Sequence, residues 1–240
     1  MTALPDIPRL YTALAECLSV LLVTPALAPR FSKAVTVGVT LLWAAVLSAF
    51  LGLTGDVPGG LWIPCMAAAI GFSYLYLWGV WSITLLEAGY HCARAFILAE
   101  LAASVEWQLH CALWPARSPW ELLSLLLLAL VYGALFGGMS YLLHIRPQPA
   151  GHLQISGSAA LTAVMLALTA FAVSNLGFLP GSDINMSIFS IRTLVDFSGV
   201  LILTVQHEQL RENALHSELA AMDEVLHRQY EQYKRSKEGI

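Results

Sequence analysis

Long apolar stretches recur about seven times along this chain, each followed by a short polar break, and this pattern constrains the fold more than any other feature. Hydrocarbon offers no partner to a free backbone N–H or C=O, so each stretch is expected to be a helix. A membrane barrel is excluded, because its strands would alternate polar and apolar residues and these do not. The expected fold class is all-α: a polytopic membrane helix bundle of about seven spans followed by a C-terminal cytoplasmic helix. Composition agrees, with 58% hydrophobic and 12% charged residues and a mean hydropathy of +0.68. An ordinary soluble domain of this length carries far more charge.

The spans are placed at 8–28, 33–53, 61–82, 88–114, 120–144, 156–178 and 186–206. The breaks are Pro29-Arg30, the Thr54–Gly60 turn, Pro115 and Arg146-Pro147-Gln148-Pro149. Glu16 in the first apolar run, with no basic segment before it, argues against a cleavable signal peptide. Arg30, Lys33, Arg94, Arg146 and the basic tail fall on one side if the N-terminus is outside, and only Arg9 and Arg117 oppose this. The positive-inside rule then puts the tail in the cytoplasm. Small-residue stripes, Gly133-x-x-x-Gly137, Ala95/Ala99/Ala103 and Ala159/Ala163/Ala167, are expected to let helices of the bundle approach closely.

Charge divides the chain in two. Twelve of its 28 Asp, Glu, Lys and Arg residues lie in 205–240, so 1–206 reads as a membrane domain and 207–240 as a cytoplasmic helical linker. Leu215, Leu219, Met222, Leu226, Gln229 and Tyr233 follow a 4-3-4-3-4 spacing, the seam of a short coiled coil. Homodimerisation through this helix is the expectation. The net charge of −4 leaves no footprint for nucleic acid.

Ionisable groups inside a span cost a few kcal/mol, about 2.5–3.5 on insertion scales, unless paired or hydrated. They are Glu16 in span one, Arg94, Glu100 and Glu106 in span four, and Arg192 and Asp196 in span seven. Helical rise puts Glu16 and Glu106 about 12 Å below the outer end of their spans, Arg192 about 9 Å and Glu100 about 21 Å. Glu16, Glu106 and Arg192 are therefore expected to meet in the outer half, with Arg192 neutralising one carboxylate. Arg94, Glu100 and Glu106 point in three directions about 120° apart, which makes span four central. A polar ligand cavity, buried pairs that fix packing, and an ion path all fit this set.

His91-Cys92 and His110-Cys111 lie about 28 Å apart on one helix and cannot share a metal ion. The four cysteines lack C-x-x-C spacing, and Cys65 with Cys111 is the one pair near the outer surface. No zinc-protease, nucleophile-elbow, phosphate-loop or dinucleotide motif occurs. Neither a cofactor nor an activity of its own is expected.

Several stretches resemble the N-terminal sensor region of GHKL-type (Agr-like) sensor histidine kinases. They are Tyr11-Thr12-Ala13-Leu14-Ala15-Glu16, Arg94-Ala95-Phe96-Ile97-Leu98-Ala99-Glu100, Ser104-Val105-Glu106-Trp107-Gln108, Ser174-Asn175 and Arg192-Thr193-Leu194-Val195-Asp196. The tail, Arg228-Gln229-Tyr230-Glu231-Gln232-Tyr233 with Ser236-Lys237-Glu238, is similar to the helix before that family's phospho-acceptor segment. The resemblance implies a bacterial cell-membrane sensor of a two-component system, binding a small-molecule or peptide ligand and acting on a kinase core and response regulator. It adds Trp107 and Asn175 to Glu16, Arg94, Glu100, Glu106, Arg192 and Asp196 as ligand-sensing residues. None of His207, His216 or His227 stands in a His-Asp-Leu-Lys-like segment, so kinase activity is not carried over. Two other classes remain open: a small transporter or channel running on the intramembrane carboxylates, and a kinase-less membrane scaffold.

Overall fold

The computed structural model describes residues 7–55, 57–114, 121–145, 153–175 and 186–238, and they are helical with short connections. Seven helices follow in chain order: α1 (Arg9–Val23), α2 (Lys33–Leu53), α3 (Gly59–Val80), α4 (Leu85–Leu113), α5 (Glu121–His144), α6 (Gly157–Asn175) and α7 (Met186–Glu238). A 3-10 turn over Thr24–Ala26 extends α1. Six helices are long and apolar enough to cross a membrane; α4 is not among them. Glu87, Arg94, Glu100 and Glu106 lower its hydropathy, and neighbouring helices cover it instead of lipid.

Leucines on the outer faces of the bundle, including Leu41, Leu122, Leu130 and Leu161, stand exposed with no protein against them. So much apolar surface is unstable in water and at home in lipid. The chain is a multi-pass helical membrane protein.

Helix α4 begins three residues earlier than its apolar run, because Thr84 and Glu87 form a capping box. Thr84 Oγ1 accepts from Glu87 N (3.3 Å), and Thr84 N donates to Glu87 Oε2 (2.7 Å). The helix then packs against α1, α3, α5, α6 and α7, and is buried along almost its whole length. Ala95, Ala99 and Ala103, like Ala159 and Ala163 of α6, are buried where helix backbones approach.

One end of the bundle is tied by its loops. Arg30 donates from Nε to Trp81 O (2.7 Å) and from a terminal nitrogen to Ile83 O (3.1 Å). Ser82 N donates to Ala28 O (2.8 Å) and Arg30 N to Val80 O (2.9 Å), joining the α1–α2 and α3–α4 connections. α2 and α3 pair through Trp43 stacked on Tyr76 at 4.4 Å and a Thr40–Tyr76 hydroxyl bond of 2.8 Å.

One expectation is corrected. Gly133 and Gly137 face outward with nothing near their α-carbons; Tyr132 and Phe136, 100° round the same helix, make the bundle contact instead. The cysteines are free thiols, three of them buried, which agrees with reading them as small residues of membrane helices and not as a Cys65–Cys111 disulfide. With no Gly or Pro between Gly199 and Gly239, the helix of span seven is expected to continue into the tail, and α7 does run without a break to Glu238. Pro115, Arg117, Arg146-Pro147-Gln148-Pro149 and most of the connection before α7 lie outside the described residues.

Candidate functional site

Glu100, near the middle of α4, is the hub of a buried charge cluster. A terminal guanidinium nitrogen of Arg192 donates to Glu100 Oε2 at 2.6 Å, and Ser174 Oγ donates to the same oxygen at 2.5 Å. Three helices, α4, α6 and α7, are thereby locked on one carboxylate oxygen. Glu16 of α1 and Asp196 of α7 both lie within electrostatic reach of Glu100. Asp196, one turn beyond Arg192, is fully buried, with Ser104 of α4 beside its carboxylate.

The cluster differs from the sequence expectation in its pairing. Arg192 meets Glu100, not Glu16 or Glu106 at a shared level. The reason is the length of α4: 29 residues span about 44 Å, against a hydrocarbon core of about 30 Å. A helix longer than the core is thick has no end fixed at the membrane boundary, so counting down from one end misplaces Glu100 in depth. Glu16 faces the Glu100 level for the same reason.

Glu106 stands apart, two turns nearer the outer end. Its Oε1 lies 3.9 Å from His110 Nδ1, and both its oxygens are buried without a hydrogen bond among the described residues. His110 stacks on Trp107 at 4.8 Å, so Trp107 belongs to this outer group and not to the cluster. Just beside it, Gln108 Nε2 donates to Thr193 Oγ1 (2.7 Å), a second tie between α4 and α7. Asn175 turns its amide back to Phe171 O (2.7 Å) and closes the last turn of α6; its neighbour Ser174 makes the contact with Glu100. Arg94 lies toward the other end of α4, with its guanidinium 5.5 Å over the Tyr90 ring.

Packing holds the arrangement together. At Gly199 a β-carbon would come within 3.1 Å of Ile97 Cγ2, so glycine sets the close approach of α7 to α4 one turn past Asp196. Tyr132 OH donates to Tyr11 O (2.9 Å), pinning α5 to α1 beside the outer group. Ser174, Gly199 and the His91–Arg94–His207 grouping escaped the sequence reading. A polar side chain ending an apolar run, and a lone glycine on a charged helix, were the signals available.

The chemistry follows from charge. Glu100 and Asp196 share the Arg192 guanidinium while Glu16 faces Glu100, and unbalanced charge in such surroundings costs several kcal/mol per ion, on the order of 3–5 when a pair is broken. A small void of about 10 Å³, lined by Glu16, Ser73 and Cys92, touches the cluster. Through Ile70, Cys92 and Phe96 this void backs onto an apolar cavity of about 410 Å³ between α3, α4 and α6. Among the described residues no His, Cys, Asp and Glu group has the geometry of a metal site.

Comparison with protein-family models, with curated proteins and with solved structures returned no match to this chain.

Proposed function

We propose that the chain is the membrane sensor module of a bacterial two-component system, relaying ligand occupancy of the bundle through α7 to a histidine kinase core. The observation that carries this reading is α7 itself. One uninterrupted helix of 53 residues holds Arg192 and Asp196 in the buried cluster at one end. At the other it leaves the bundle with Leu219, Met222 and Leu226 at 63, 62 and 58% exposure. Among the described residues nothing covers this seam, and a second copy of the helix is the partner its spacing fits. A structural scaffold has no use for a costly charge cluster on the helix that it exports.

In this reading all seven helices cross the membrane, α4 shielded by its neighbours, which puts the N-terminus outside and the tail in the cytoplasm. The ligand enters sideways through the apolar cavity between α3 and α6 and acts on Glu16 behind it. Displacing Glu16 or Glu100 alters the hold on Arg192, and α7 rotates or shifts. The voids at the cluster are about 10 Å³, room for a single water, which favours a sensor over a conducting path.

The test is a fusion of the chain to a histidine kinase core after Glu238. Arg192→Leu is expected to insert normally and lose regulation of phosphorylation. Unchanged output from that variant, or ion flux through proteoliposomes of the unfused chain, contradicts the proposal.

A further inference from the structure

A second polar site lies at the end of the bundle from which the tail departs, away from the carboxylate cluster. A cavity of about 180 Å³ is lined by Arg94 and His91 of α4, His207 of α7, the Pro25-Ala26 turn after α1, and Leu143 of α5. His207 has Arg94, His91 and Arg211 within electrostatic reach. Arg211, 3% exposed, leaves two guanidinium nitrogens buried without hydrogen bonds, and His207 Nδ1 is in the same condition. The carboxylate within reach of Arg94 is Glu208, already held by Arg211. Two guanidiniums thus share one acid, with two imidazoles beside them.

The cavity wall itself carries Arg94 and the two imidazoles, with Arg211 next to it; this excess of positive groups over Glu208 favours an anion, and the fork geometry of Arg94 an oxyanion. We propose that this cavity binds a phosphate group. Leu22, Val23 and Leu143 give it an apolar flank, which suits a phosphate attached to an acyl chain, as in an anionic lipid headgroup at the membrane surface. A soluble phosphate shares the recognised chemistry. Because the walls come from α1, α4, α5 and α7, an occupant ties α7 to the bundle immediately before the tail begins. The site stands whether or not the sensor reading holds.

The experiment is native mass spectrometry of the full chain released from phosphatidylcholine nanodiscs doped with phosphatidylglycerol. Beside it, binding of radiolabelled inorganic phosphate is measured in pure phosphatidylcholine nanodiscs. Phosphatidylglycerol retained about tenfold above its share of the lipid, and lost in Arg94→Gln, upholds the site with a lipid occupant. Saturable phosphate binding lost in the same variant upholds it with a soluble one. Arg94→Lys, which keeps the charge, is expected to retain part of either signal and so separates loss of the site from loss of the fold. Neither enrichment nor saturable phosphate binding by the unaltered chain overturns the proposal. Enrichment that survives both Arg94→Gln and His207→Gln overturns it equally.

Discussion

Arg192 is the residue on which the buried cluster depends, because its guanidinium holds Glu100 and lies within electrostatic reach of Asp196. Removing it strands Glu100 in a dry site, and breaking a buried pair from one side typically costs about 3–5 kcal/mol. Arg192→Leu is therefore expected to lower the unfolding midpoint of the nanodisc-embedded protein well below that of Glu100→Gln, Arg192→Leu, where the stranded charge is gone. A loss in the double variant equal to the sum of the Arg192→Leu and Glu100→Gln losses would show that the pair carries no coupling. The identity of these residues was readable in the sequence, since charge inside an apolar run stands out. Their pairing was not, because depth counted along each helix assumes that all spans start at one level, and α4, with 29 residues, is longer than a span needs to be. Nothing in the sequence distinguished Ser174, which bonds Glu100, from its neighbour Asn175, which bonds its own helix.

At the scale of the helix, two local devices position the site. The Thr84–Glu87 capping box fixes where α4 starts, and Thr84→Ala is expected to cost about 1 kcal/mol and to speed amide exchange in the first turn of α4. Unchanged exchange at 85–88 would assign that start to packing alone. Gly199 fixes how close α7 lies to α4, and Gly199→Ala is expected to cost about 1–3 kcal/mol by overpacking against Ile97. An Ile97→Ala background should recover part of that loss in thermal unfolding; a fully additive pair would argue that the two do not touch. The capping box is written in the sequence as T-x-x-E ahead of an apolar run, and it moves the start of α4 outward from the edge of that run. Gly199 is silent by comparison, because a close approach belongs to two helices and the sequence shows only one at a time.

For the whole molecule, the bundle and the tail are one mechanical piece joined by α7. That α4 sits in the middle was legible from three charges spread round its circumference, which leave no face for lipid. That Gly133 and Gly137 face outward was not, because Tyr132 and Phe136 compete for the same bundle contact and their bulk wins it. Beyond Arg211 the tail has little against it, so Leu226→Lys is expected to abolish association between tails while leaving the unfolding midpoint of the bundle unchanged. On the sensor reading, the cluster around Glu100 and the seam at Leu226 are coupled along about 50 Å of helix. The most direct test is disulfide crosslinking between copies carrying Leu226→Cys, with the native cysteines replaced, in membranes with and without Arg192→Leu. A crosslinking rate that changes severalfold when Arg192 is lost is the expected result. The same rate in both backgrounds would mean that the tail does not sense the cluster.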